Sequence, residues 1–186
     1  MANNYCRIVP CVAFAGIIAL AVTCNSATAA SDNAPLPALF NQAEVFHGHI
    51  CAGSIFGARC GIAAREALRK AGGTGKFTAR YYDLSCPVDG IQVAAGTTCG
   101  DAVLEVIDRD EHRLVLTASG NNRQVEAQLT KKAEELGLRS RDLVEKSKEL
   151  PIGAADRLQL EREVENIYNW LRTAPTDEVV TVNILG

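Results

Sequence analysis

The chain has no Cys-x-x-Cys pair, no excess of basic residues and, outside one N-terminal segment, no long apolar run. Each absence removes a class of protein. Without paired cysteines two residues apart there are no zinc-finger knuckles, and a thiol-disulfide pair lacks the arrangement that tunes it. With 19 basic against 22 acidic side chains, no basic patch calls for nucleic acid and no polybasic face calls for an anionic lipid surface. No segment repeats. The one apolar run, "IVPCVAFAGIIALAV" at 8–22, falls short of the ~20 residues that a membrane span needs.

What is there begins with that run. It follows a short stretch carrying Arg7 and precedes "TCNSATAASDNAP", rich in small residues and free of acidic ones until Asp32. This is the pattern of a secretory signal peptide over 1–30, with Ala-Thr-Ala-Ala at 27–30 as the cleavage site. "LAVTC" also loosely resembles a lipobox, which would anchor the chain through Cys24, although Thr23 stands where a smaller residue is usual. The expected location is therefore periplasmic or secreted, with no membrane span after cleavage. Loss of Arg7 from the 19 basic side chains, against 22 acidic ones, leaves a formal charge of about −4. About 156 residues remain, enough for one domain with a core. Of the seven cysteines, Cys51, Cys60, Cys86 and Cys99 stay. An even set in an oxidising compartment fits disulfides, metal thiolates or a mixture.

Along the mature chain, 31–37 reads as a flexible lead-in and 38–186 as one domain. Helical periodicity runs through "ALFNQAEVFHGH" and through 51–73, where Gly72-Gly73 closes the helix. "KFTARYYDL" at 76–84 reads as a strand, and "IQVAAG" as a short helix with Asp89 in its first turn. "AVLEVID" and "RLVLTAS" alternate around "RDEH" at 109–112, which predicts a hairpin. From about 122 to 174 the apolar spacing (Val125, Leu129, Leu136, Leu143, Leu150, Leu160, Val164, Ile167, Leu171) predicts amphipathic helices. A final strand is expected over about 178–185. The fold class is thus α+β, an antiparallel or mixed sheet packed with helices, with a helical C-terminal extension.

The chemistry-bearing stretch is "FHGHICAG". Residues two apart point the same way on an extended chain but about 200° apart on a helix. His47, His49 and Cys51 can therefore converge on one ion only if the backbone is extended or looped before a helix begins near 52. Gly48 makes such a path easy. Cys51 would then stand at a helix N-terminus, where the macrodipole favours thiolate. Imidazole with thiolate suits zinc or a related metal. The plainer alternative is that the histidines cap carbonyls and Cys51 is a small buried hydrophobe. A second stretch, "LSCPVDGIQVAAGTTCG" at 84–100, sets Cys86 before a proline at a helix start, with Asp89 and Gln92 one turn apart on one face.

Together, "FHGHICAGSIFGARCG" and "CPVDGIQVAAGTTCGDAVLEVID", with the tail "TDEVVTVNIL", resemble the FmdE family of formylmethanofuran dehydrogenase proteins. The resemblance implies an α+β core that often dimerises and carries a metal near the His/Cys motif, zinc in some members. Carried across by position, it implies His47, His49, Cys51 and Cys86 as metal ligands. Asp89, Gln92 and Thr98 become pocket or supporting residues, Asp89 or Thr98 holding the second nitrogen of a ligating imidazole. The sequence departs from the family by lacking the C-terminal Cys-x-x-Cys finger, by Thr97 where Cys is usual, and by Asp101 in place of a lysine. Cys60 and Cys99 stand where the family more often has other residues. In an exported chain they could pair, closing a loop of about 40 residues worth ~3–4 kcal/mol in the chain-entropy model, and the alternative is two independent buried cysteines.

The function expected is that of an exported metal-binding homodimer. Its site would hold a zinc-like ion or a metal-bearing small molecule for capture, delivery or sensing, and no catalytic residue is assigned. Iron, including haem iron through an axial His or Cys, is an alternative. So is an enzyme using a metal-bound hydroxide, or a Cys51 thiolate with His49 as base. A Cys51–Cys86 thiol-disulfide protein comes after these.

Overall fold

A computed structural model describes residues 36–185. The segments expected to be a signal peptide with a lipobox cysteine, and the expected lead-in up to Pro35, lie outside the described residues. The described chain runs α1 (Leu36–His47), α2 (Ala52–Lys70), β1 (Phe77–Tyr82), α3 (Pro87–Ala95), β2 (Leu104–Val106), β3 (Glu111–Ala118), β4 (Gln124–Leu129), α4 (Lys131–Lys148), α5 (Ala155–Thr173), α6 (Thr176–Val179) and β5 (Val180–Leu185). The strands form one mixed sheet in the order β2-β1-β3-β4-β5. No described helix is long and apolar enough to cross a membrane.

Alternation sets the faces of the sheet. Ala79 and Tyr81 of β1, Leu114, Leu116 and Ala118 of β3, and Val125 and Ala127 of β4 are buried. The intervening residues of the outer face include Arg80, ion-paired to Glu105, and Arg113, ion-paired to Glu111 and Glu126. α2 packs on the covered side and is buried on nearly every face from Ser54 to Arg65. A helix so enclosed needs small residues wherever a neighbour comes close. At Gly57 an added Cβ would stand 1.9 Å from the carbonyl oxygen of Pro87, and at Gly90 it would stand 2.2 Å from that of Ser54. α2 and α3 therefore touch backbone to backbone. That contact sets the N-terminus of α3 beside the N-terminus of α2.

The C-terminal helices are tied to this core by Arg59. It is 4 % exposed and donates from Nη1 to the carbonyl of Arg172 (3.1 Å) and from Nη2 to that of Ala174 (2.6 Å). Those carbonyls end α5, where a helix presents unpaired acceptors and the negative end of its dipole. Burial pulls the guanidinium pKa down, against the opposing influence of Cys60.

Three expectations are corrected. "AVLEVID" and "RLVLTAS" do not form a hairpin: β2 pairs in parallel with β1, and β1 separates it from β3. The hairpin joins β3 to β4 instead, with Thr117 opposite Gln124. Residues 124–129 are β4, not the start of the helical extension, because Val125, Ala127 and Leu129 alternate and β5 pairs alongside. The Cys60–Cys99 cross-link is not formed. Cys60 is a free buried thiol in the core beside the Tyr81 hydroxyl on the sheet, whereas the neighbouring Gly61 faces Ala94 and Ala95 of α3. One residue is a turn of about 100° on a helix, so Cys60 points away from the α3 side that leads into Cys99.

Candidate functional site

α1 ends at His47 because Gly48 takes φ +85°, a left-handed conformation that suits glycine, while its N–H caps the carbonyl of Glu44 (2.8 Å). The chain then turns and reaches Cys51 in extended conformation, φ −148° and ψ 165°. Cys51 is the N-cap of α2. Its Sγ accepts from the Ser54 N–H (3.3 Å), and Ser54 Oγ accepts from the Cys51 N–H (3.2 Å), a reciprocal capping box with sulfur in place of the usual oxygen. The thiol sulfur is thereby fixed at the positive end of a 19-residue helix.

His47 lies between this sulfur and Asp89. Its Nδ1 is 2.7 Å from Asp89 Oδ2 and its Nε2 is 3.6 Å from Cys51 Sγ. A carboxylate at 2.7 Å only accepts, so Nδ1 carries the proton and Nε2 presents its lone pair toward the sulfur. Asp89 is held in turn by Gln92, whose Nε2 donates to Oδ1 (3.3 Å) and whose Oε1 accepts from the Cys99 backbone N–H (3.0 Å). His49 is exposed, and its ring centroid lies 4.4 Å from that of His47. One donor atom each from His47, His49 and Cys51 lies within 4.8 Å of the others.

Cys86 stands beside Cys51 from the other helix, outside the group formed by the His47, His49 and Cys51 donors. It precedes α3, and its Cβ would be 2.7 Å from a Cβ added at Gly53, which sets it against the first turn of α2 next to Cys51. Partial desolvation, followed by the neighbouring Cys51 and then Asp89, pushes its thiol up to about 11. The residue as a whole is exposed. Thr98 is not brought to the cluster; its Oγ1 accepts from the Asp101 N–H (3.2 Å).

Beside the cluster is a cleft of about 450 Å³ between the start of α2, the start of α3 and one face of α4. Its walls include His49, Cys51, Phe56, Cys86, Leu138, Val144 and Tyr168. Burial raises the Tyr168 pKa, with the Cys51 charge second. A larger depression of about 550 Å³ lies on the outer face of the sheet among Thr78, Arg80, Glu105 and Arg113. It contains neither cysteine nor histidine, so the chemistry belongs to the smaller cleft.

Sequence reasoning missed a second polar group on the same cleft. His112, at the start of β3, has Nδ1 3.2 Å from Asp83 Oδ2 and 3.2 Å from Tyr81 Oη. Ser85 Oγ donates to the same Asp83 oxygen. Asp83 is 6 % exposed, and both Ser85 and His112 line the cleft. The only sequence signal is that "YYDLSC" leaves a strand with an acid three residues before a cysteine. Nothing in it points to a histidine almost thirty residues further on.

Residues 46–181 match the family model described as "FmdE, Molybdenum formylmethanofuran dehydrogenase operon". No curated protein matches the chain. Among solved structures it is similar to a tungsten formylmethanofuran dehydrogenase FmdE-like protein from Syntrophus aciditrophicus. That similarity has 16 % identity and a TM-score of 0.55, and it covers 81 % of this chain and 71 % of the other. At that identity the likeness concerns the fold: a mixed sheet with helices arranged as in an FmdE-like protein. The matched segment takes in both halves of the His/Cys cluster and most of the chain, and the chain belongs to the FmdE family.

Proposed function

We propose that this is an exported metal-binding protein in which His47, His49 and Cys51, joined by Cys86, hold a zinc-like ion for capture, delivery or sensing. One observation carries the reading: with Asp89 on Nδ1, the other ring nitrogen of His47, Nε2, stands 3.6 Å from Cys51 Sγ. Nitrogen at about 2.1 Å and sulfur at about 2.3 Å on a tetrahedral ion are themselves about 3.6 Å apart. The donor set therefore fits the group without rearrangement of these two ligands. His49 and Cys86 are the further donors, and a cation between the two thiols would offset both the desolvation and the Cys51 repulsion that raise the Cys86 pKa. Bound there, such an ion would supply Lewis acidity at the wall of the cleft. The chain's own residues do the positioning: Asp89 orients the imidazole, Gln92 orients Asp89, and Ser54 fixes the sulfur.

Metal analysis of protein purified from its own compartment tests this. Near-stoichiometric zinc that falls below one-tenth in Cys51→Ala and His47→Ala supports the reading, and equal metal in both variants sinks it. An intense Soret band would replace zinc with haem iron. The second reading is a metal-dependent enzyme, favoured by the open cleft beside the donor cluster, which leaves room for an organic substrate against the metal. Export through the N-terminal leader and homodimer formation belong to the same proposal; N-terminal sequencing of the mature protein and light scattering test them.

A further inference from the structure

Burying a carboxylate is costly unless it is paired and hydrogen-bonded. Asp83 is buried at the end of β1, a short way before Cys86, and it is satisfied by the Ser85 hydroxyl and the His112 ring. Nδ1 of His112 faces the Asp83 carboxylate and the Tyr81 hydroxyl, each at 3.2 Å, and the negative charge beside it favours the neutral ring's proton on Nδ1. Burial, then Cys60 and Asp83, push the Tyr81 pKa up, so that hydroxyl stays protonated. Nε2 of His112 is left as a lone pair with no partner among the described residues, on a ring whose side chain is 41 % exposed and which lines the cleft. The rest of the lining sets apolar side chains, among them Phe56, Leu129 and Leu138, beside the charged Glu134, Arg141, Glu145 and Lys148.

We propose that Asp83 and His112 form a second recognition point in the cleft, at which His112 Nε2 accepts a hydrogen bond from an O–H or N–H group on a small, largely apolar organic ligand. The proposal extends the metal-site reading to the cleft but does not depend on a bound ion. A cleft of about 450 Å³ lies in the range of small-molecule sites, which are mostly apolar with a few fixed polar groups. Asp83 is a positioning residue here; only His112 touches the ligand. The rigid tautomer makes the point selective: an acceptor reads a donor, and an ether in the same place leaves Nε2 desolvated and unpaired.

The test uses a matched pair of probes, 2-naphthol and 2-methoxynaphthalene, with binding to the full chain followed by NMR shift titration in the presence and absence of zinc. The naphthol is expected to bind about 10-fold tighter than its methyl ether. In His112→Ala the difference should shrink to within about 2-fold, and His112→Gln, which can still accept, should restore part of it. Long-range proton–nitrogen correlation should report a protonated Nδ1 on His112 in the wild type and a loss of that preference in Asp83→Leu. Equal affinities for the two probes, a preference that survives in His112→Ala, or no binding of either at millimolar concentration would each overturn the proposal. A zinc affinity that drops 10-fold or more in His112→Ala would overturn it too, by making His112 a metal ligand. Failure of zinc binding with the naphthol preference intact would sink the metal reading alone.

Discussion

His47 is clamped by its two ring nitrogens, with Asp89 Oδ2 2.7 Å from Nδ1 and Cys51 Sγ 3.6 Å from Nε2. One contact sets the tautomer and the other uses it. The clamp spans α1, α2 and α3, so a single imidazole registers the relative placement of three helices.

Removing the carboxylate should loosen the imidazole without unfolding the chain. Asp89→Ala is expected to weaken zinc binding by about 10- to 100-fold, the usual cost of losing a partner behind a metal-ligating histidine. Asp89→Asn, which can still accept from Nδ1–H, should lose less. Competition against a chromophoric chelator measures both, with circular dichroism as the control for folding.

The α2–α3 contact makes a prediction about stability. Gly57→Ala sets a methyl 1.9 Å from a backbone oxygen, which no rotamer change can relieve, so the helices must part. A loss of about 3 kcal/mol or more is expected in urea unfolding. Gly153, with φ +82° but nothing within 4 Å of an added Cβ, should cost only ~1 kcal/mol when changed to Ala. Because Cys86 rides on α3, Gly57→Ala should also reduce metal content in whatever fraction remains folded.

Arg59 should behave as a structural residue. Arg59→Ala removes two charge-assisted hydrogen bonds and strands the carbonyls of Arg172 and Ala174. The expected loss is about 3 kcal/mol in denaturant unfolding. Metal content per folded molecule should be unchanged, since Arg59 touches none of the donor residues.

Cys60 gives a pH signature. Burial raises its pKa from 9.0 to about 12, so between those values the unfolded chain has released a proton that the folded chain keeps. Stability then falls as pH rises: the contribution is fully present below about pH 9 and is lost through about pH 12, at about 1.4 kcal/mol per unit across the window. Urea midpoints at about pH 8 and about pH 10 should show that drop, and Cys60→Ala should flatten it. Iodoacetamide at the lower pH should leave the buried Cys60 unlabelled until the chain unfolds.

The helical half of the fold and the His/Cys neighbourhood were legible because their signals are local. Gly48 and the run beginning at Ala52 foretell a turn before a helix, and "CPVDGIQ" announces the start of α3. Strand partners were not legible. Alternation marks β2 and β3 as strands but says nothing about which strand lies between them, and a parallel β1–β2 pair leaves no turn signature. Val125 and Leu129 are four apart, which fits a helix as well as alternate places on a strand; pairing with β3 and β5 decides for β4. Asp83 and His112 were invisible for the same reason: the sheet brings them together, and no local pattern links them. Cys60 and Cys99 suggested a cross-link by count and compartment, but the direction in which Cys60 points from α2 is a property of packing.

X-ray absorption at the zinc edge of the metal-loaded protein tests the central claim most directly. The account predicts a mixed shell with sulfur at about 2.3 Å and imidazole nitrogen at about 2.0–2.1 Å, with the sulfur signal reduced in Cys51→Ala. A shell of oxygen and nitrogen with no sulfur, unchanged in that variant, would contradict it.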